Sequence, residues 1–283
     1  MLAELVIGDA YGRSFEHAKR HFVFKKNDDV THYVRPPDKS HLAGHYSANA
    51  QGALGITELV LSGRPWTHFN CAESILSQFK FFRRYGISEQ LQGYLVNSFS
   101  AGDFFKHTSN SMTDGAAAVR VCPLGLFPCL HDVLERSKVA AEITHGKGLS
   151  LKASQAAAAM VYFARYRPKA NFRIMEFMRD LFPNLLQVPL VGSVTDHVMM
   201  VVSAALTAFV RNVTTKELLW DCVNMGGPSG LTGALALAAA SVSPEYKQNL
   251  PETLFSGLEG GARGREYIGR LDKQLLKITT KSY

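Results

Sequence analysis

The sequence has no C-x-x-C pair. Its four cysteines, Cys71, Cys122, Cys129 and Cys222, are scattered, which suggests neither a thiolate zinc site nor a disulfide frame and fits thiols acting as small buried hydrophobes. No apolar run reaches the roughly 20 residues that a helix needs to cross a bilayer. The longest, Val198 to Val210, is interrupted by Ser203 and Thr207 and reads as a buried helix. The opening residues, MLAELVIGDA, lack a basic segment and a cleavage-type end, and Glu4 and Asp9 are out of place in a signal or transit peptide. The expected location is cytoplasmic. Alternating strand patterns are nearly absent, as are tandem repeats and any polar stretch long enough to link two domains.

What is present is ordinary globular material, 46% hydrophobic and 19% charged over 283 residues, enough for a large core. The formal net charge of +7 attracts anions. The basic residues nevertheless form no long run; the densest groups are Lys25-Lys26, Arg83-Arg84 and Arg263 to Arg265. No nucleic-acid motif accompanies them, and phosphate on a small ligand fits the same charge.

Apolar residues recur at spacings of three and four over Gln51 to Ser62, Cys71 to Tyr85, Leu91 to Ser98, Val133 to Thr144, Lys152 to Tyr166, Phe172 to Phe182, His197 to Arg211, Thr215 to Met225 and Leu231 to Ser241. Each span predicts a helix. The runs QAAAAM at 155–160 and ALALAAAS at 234–241 predict helices packed closely at the centre. Pro36-Pro37, Gly63-Arg64-Pro65, Arg167-Pro168 and Ser243-Pro244 predict helix ends. The expectation is one all-α domain spanning residues 1–283.

Several short motifs follow one another along the chain. GDAYGRSFE at 8–16 sets Asp9 on an early helix with Glu16 two turns further on. GHYSANAQ follows at 44–51, DGAAAVRVCPLG at 114–125, ITHG at 143–146 and NMGGPSGLTGALALAAAS at 224–241, before an ending with GREYIGRLDKQL. This order resembles the ADP-ribosylglycohydrolase family, all-α hydrolases that include the dinitrogenase-reductase-activating glycohydrolase, and the resemblance runs from Leu5 to Leu275. Gly8, Asp9, Gly12 and Glu16 match a GDALG motif with its following glutamate. Ala117, Ala118, Arg120, Pro123 and Gly125 match GAAMRVAPIG, and Thr144 and His145 match a TH dipeptide.

Two matches are broken. Where the family reads like YTDDT, Tyr46 survives and the ligand positions hold Ser47, Ala48 and Asn49. Where it reads like GGDTDT, Gly226 and Gly227 are followed by Pro228, Ser229, Gly230 and Leu231. The resemblance implies that these two loops hold a pair of magnesium ions beside a ribose, chemistry that carboxylates suit. Here both acids of each loop are gone, so no metal and no other cofactor is expected. The start of the helix after Pro228 has the makings of a capped helix end, with Ser229 near its N-cap. That predicts an anion over the amides of Ser229 to Thr232, the alternative being a tight turn and a cap.

The surviving groups divide between chemistry and structure. Glu16, matching a family glutamate beside the ribose, is the first candidate for general-base or charge-stabilising work and Asp114 the second, with helix capping as the alternative for Asp114. Asp9, Tyr46, Ser47, Asn49, Arg120, His145, Ser229 and Gly230 complete the candidate ligand set. For Asp9 the alternative is a bond to helix-end amides; for Tyr46, as for Phe15, it is the core. The expected partner is a nucleoside- or ADP-ribose-like small molecule, with no membrane partner. Three readings stay open: metal-free cleavage of an N-glycosidic or related bond, binding without turnover, or a regulatory or structural scaffold.

Overall fold

A computed structural model describes residues 1–36, 41–167, 173–190 and 193–280. The predicted breaks at Pro37 and Pro168, and the predicted helix start at Phe172, lie outside these. Among the described residues the chain is helical without strands. The helices are α1 (Leu2–Arg13), α2 (Arg20–Lys26), α3 (Ala48–Ser62), α4 (His68–Phe81), α5 (Glu89–Asn97), α6 (Ala101–His107), α7 (Ala116–Val121), α8 (Leu130–His145), α9 (Gly148–Tyr166), α10 (Ile174–Leu181), α11 (Val198–Arg211), α12 (Thr215–Asn224), α13 (Ser229–Ala240), α14 (Glu252–Ser256) and α15 (Arg265–Thr280). A 3-10 turn over Cys122–Leu126 follows α7. No described helix is long and apolar enough to cross a membrane.

α13 is the axis of the molecule. Every residue from Ser229 to Ala240 is buried, and α1, α7, α9, α11 and α12 pack around it. Its small side chains permit backbone contact with α1. A Cβ at Gly8 would lie 2.7 Å from the amide nitrogen of Ala234, and one at Gly12 would lie 2.7 Å from that of Gly230. Both are closer than any side-chain carbon tolerates, so the two motifs of α1 and α13 fit only as glycine against glycine or serine.

Helix starts follow their caps. Ser47, Thr67, Ser88, Ser100 and Thr214 each accept a backbone N–H from the first turn that follows. These caps extend α4 and α5 to His68 and Glu89, upstream of the apolar periodicity. α6 was not visible as a pattern, yet Ser100 and Asp103 form a reciprocal cap: the Asp103 N–H donates to Ser100 Oγ, and Ser100 Oγ donates to Asp103 Oδ2. α15 also escaped the pattern because charged residues separate its buried Ile268, Leu271 and Leu275.

One predicted helix is too long. The span to Tyr85 stops at Phe81 because the carbonyls beyond it are drawn to α3. Phe82 O accepts from Gln51 Nε2 at 2.7 Å, Tyr85 O from the Ala48 N–H at 2.9 Å and Gly86 O from Asn49 Nδ2 at 2.7 Å. Cys71, Cys122 and Cys222 are buried as expected, whereas Cys129, the N-cap of α8, is exposed.

Gly12→Ala forces apart two backbones that have nothing flexible between them. It is expected to cost about 3 kcal/mol or more, a fall in melting temperature of roughly 6–12 °C. Gly93 in α5 has no atom within 4 Å of its absent Cβ, so Gly93→Ala is expected to stabilise by about 0.5–1 kcal/mol. Thermal melts of the two variants check both signs, and equal effects would contradict the assignment of α1 and α13 as the tight contact.

Candidate functional site

α1 ends at Arg13, and residues 14–17 make a tight turn, so Glu16 lies beyond the helix and not two turns along it. The turn is anchored at its far end by His17, whose N–H donates to Gly227 O at 2.9 Å and whose φ of 51° lies in the left-handed region. Through this bond the residues after α1 are tied to the glycine loop before α13. Phe15 points inward and is fully buried, which leaves Glu16 on the other side of the turn, half-buried.

A cavity of about 950 Å³ opens there, walled by Arg13, Glu16, Lys19, Phe22, Tyr85 and Gly86, with histidines at 17, 21 and 41. Burial, reinforced by the negative charges of Asp9 and Asp196 and opposed by Arg13, pushes the Glu16 carboxyl up to about 8. At neutral pH it is mostly the neutral acid, not the carboxylate that its motif suggested. The cavity wall is therefore positive, from Arg13 and Lys19.

Asp9 sits beneath this wall and is buried. Its Oδ2 accepts the Ser47 N–H at 2.5 Å and its Oδ1 accepts Ser47 Oγ at 2.7 Å. Burial raises its carboxyl, while the two bonds from Ser47 and the charges of Arg13 and Arg84 pull the other way. Ser47 in turn caps α3 by accepting the Asn49 N–H at 3.1 Å. The first and second motifs thus meet as a buried cap.

Tyr46 belongs to the core beside that cap. Its hydroxyl donates to Arg263 O at 2.8 Å, and the Arg84 guanidinium covers its ring, 3.4 Å from the centroid. Arg84 itself makes a two-pronged bond to Glu259, at 2.6 and 3.0 Å, with both side chains almost wholly buried. This pair fixes the segment that delivers Tyr85 and Gly86 to the cavity.

Asp114, Arg120, Thr144 and His145 form a second group. Asp114 Oδ1 accepts the Ala116 N–H at 2.9 Å, the capping alternative. Arg120 donates to Ala140 O and to Thr144 Oγ1 at 3.1 and 3.0 Å; Thr144 Oγ1 lies 2.7 Å from His145 Nδ1, and His145 Nε2 donates to Asp114 O at 2.9 Å. A carbonyl only accepts, so Nε2 carries a proton. Burial lowers Arg120 to about 10 against the charge of Asp114. For Asp114 burial acts upward, but the bond and charge of His145 outweigh it and hold the carboxyl below its usual value. None of the four lines the cavity around Glu16.

The helix start after Pro228 differs from its expectation. Ser229 is not a side-chain cap; the N-cap is Pro228, and Ser229 Oγ turns back to the carbonyls of Gly227 and Phe15. The Ser229 and Thr232 amides already donate to Gly227 O and Pro228 O, at 2.9 and 3.1 Å. Gly230 is covered by the backbone of Asp9 and Arg13. Of the expected site residues, the structure brings only Glu16 to the cavity wall. Arg13, Lys19 and Tyr85 were missed: Arg13 stands inside the first motif, but Lys19 and Tyr85 carry no sequence signal and arrive by folding.

The architecture is an all-α one shared with solved proteins. It matches a structure described as an ADP-ribosylglycohydrolase-related protein complex with a TM-score of 0.69 and 19% identity, over 98% of this chain and 99% of that one. No curated protein matches the chain. The family model for ADP-ribosylglycohydrolase matches residues 1–283, and the chain belongs to that family.

The magnesium pair that the family resemblance implies does not fit the side chains at these loops. Ala48, Pro228 and Gly230 have no side-chain oxygen. The Asn49 amide donates its nitrogen to Gly86 O, and both Asp9 oxygens are taken by Ser47. Among the described residues no three His, Cys, Asp or Glu side chains converge in a way that would hold an ion. Hard cations need several oxygen ligands to replace lost water, and this set cannot supply them.

The raised Glu16 carboxyl links stability to pH. Between the ordinary value of 4.5 and about 8 the folded state keeps a proton that the unfolded chain has released. The unfolded state then binds fewer protons, so stability falls as pH rises through that window. Glu16→Gln removes this dependence. The variant is expected to gain on the order of 1–3 kcal/mol over the parent at pH 8 and nothing near pH 4.5, measured by denaturant unfolding across the range. An unchanged slope in the variant would show that another group is responsible.

Proposed function

We propose that the protein binds an ADP-ribose-like ligand, a nucleoside carrying phosphate, in the cavity beside Glu16, and that it does so without a magnesium centre. The observation that carries this reading is the cavity itself. Its size suits a ligand of this class, Arg13 and Lys19 supply positive charge for phosphate, and Tyr85 and Phe22 offer aromatic faces for a base or ribose. Glu16, the one acid among the described residues of the wall, is held mostly neutral, so it adds little repulsion to the phosphates.

A second reading, cleavage of the ligand's N-glycosidic bond, rests on that same neutral acid. A carboxyl near 8 can donate its proton to a departing group at neutral pH while water adds at the anomeric carbon. Glu16 is then a general acid, where its motif suggested a base. Asp114, bonded to Ala116 and facing His145, stands outside this cavity and takes no part in the step. Binding without turnover is the primary reading because, among the described residues, no second carboxylate lines the cavity to activate the water.

Calorimetric titration with ADP-ribose in the presence of chelator tests the binding. Saturable binding is expected, unchanged by millimolar magnesium and weakened by about tenfold in Arg13→Ala, the equivalent of one charge-assisted contact. The melting temperature should likewise be the same in magnesium and in chelator. Binding that requires magnesium would overturn the reading. If turnover is detected, Glu16→Gln should lower it roughly a hundredfold, and the parent rate should fall as pH rises past about 8.

A further inference from the structure

On the other face of α2 lies a second cavity of about 700 Å³ that, among the described residues, shares only Ala18 with the first. Its wall includes Arg20, Phe24, Arg211, Trp220, Met225 and Gly227, and none of its described residues is acidic. Neither arginine forms an ion pair with a described acidic side chain. Arg20 stands 5.7 Å from the ring centre of Phe24. Two large rings are left at the surface here, Trp220 at 44% and Phe24 at 67% of full exposure.

The wall is fixed in advance. Trp220 O accepts from Asn27 Nδ2 at 3.1 Å and from Asn224 Nδ2 at 2.9 Å, which holds the backbone that presents the indole. Two of the last carbonyls of α12 are also taken, Asp221 O by the Met225 N–H and Val223 O by the Gly226 N–H. These bonds lessen the repulsion that the helix end offers an anion beside the two guanidinium groups. Exposed aromatic faces flanked by unpaired arginines stack planar rings and bind oxyanions through forked hydrogen bonds.

From this combination we infer a second ligand site, independent of the cavity beside Glu16, for a planar aromatic molecule bearing an anion, with a nucleoside monophosphate as the class that matches both features. The ring lies against Trp220 and Phe24, and the phosphate is held by Arg20 and Arg211. The site does not depend on the first cavity being a binding site, since the two have no charged or aromatic residue in common among those described.

Titration of the full chain with AMP, followed by tryptophan fluorescence, tests it. Trp220 is the reporter; Trp66, the other tryptophan, donates its indole N–H to Arg136 O elsewhere in the fold. A saturable fluorescence change is expected in the parent and in Arg13→Ala, and it should vanish in Trp220→Phe. Affinity should fall by about tenfold or more in the Arg20→Ala, Arg211→Ala double variant. Both arginines are exposed, so an unchanged helical circular dichroism spectrum is expected alongside. No saturable change in the parent, or a smaller loss in the folded double variant, overturns the inference. Failure of the first cavity would show separately, as ADP-ribose affinity indifferent to Arg13→Ala.

Discussion

The backbone contact between α1 and α13 is the constraint on which the rest of the molecule depends. Gly8 and Gly12 face the backbone of Gly233 and Ser229 with no room for a side chain, so the two helices are locked in one register. That register decides where Asp9 stands, where the chain turns after Arg13, and that the start of α13 is sealed and not open to ligand. A buried axis of glycine and alanine contributes little side-chain area of its own. It stabilises by letting α7, α9, α11 and α12 approach closely around it, so that contacts are dense although each residue is small.

Polar contacts then set the loops that this axis leaves free. Asp9 holds Ser47, Ser47 caps α3, and the first residues of α3 bind the carbonyls of Phe82, Tyr85 and Gly86. The buried Arg84–Glu259 pair secures the same segment from behind. Removing one partner of such a pair leaves an uncompensated buried charge. In this way carboxylate and amide groups at the first and second motifs serve the architecture, and the segments they position form the wall of a cavity.

Charge gives the two cavities their common character. The chain's net charge of +7 is not spread evenly: Arg13 and Lys19 face one cavity, Arg20 and Arg211 the other, and Glu16, the one carboxyl among the described wall residues, is raised to about 8. α2, only seven residues long, presents one set of side chains to each. His21 and Phe22 face the first cavity, with the N-cap Lys19, and Arg20, Val23 and Phe24 the second, because side chains of a short helix diverge around its axis.

The sequence by itself determined that the chain is all-α, most of its long helices, and the family, because apolar residues at helical spacing and the glycine-rich motifs are local signals. It also determined that Ala48, Pro228 and Gly230 bring no side-chain oxygen and Asn49 only a neutral amide one, since an atom absent from the side chain is absent in any fold. It left open whether Asp9 and Asp114 cap helices or serve chemistry, and local pattern cannot decide that, because a carboxylate looks the same in both roles. Tertiary structure alone shows what they touch: bonds to Ser47, 38 residues away, and to the amide of Ala116. Tertiary structure also moved Glu16 off its helix and raised its carboxyl, since burial and neighbouring charge are properties of position. It assembled Lys19 and Tyr85 with Glu16, and Trp220 with Arg20, from segments that share no motif, because side chains distant in sequence become neighbours only when the helices that hold them have packed.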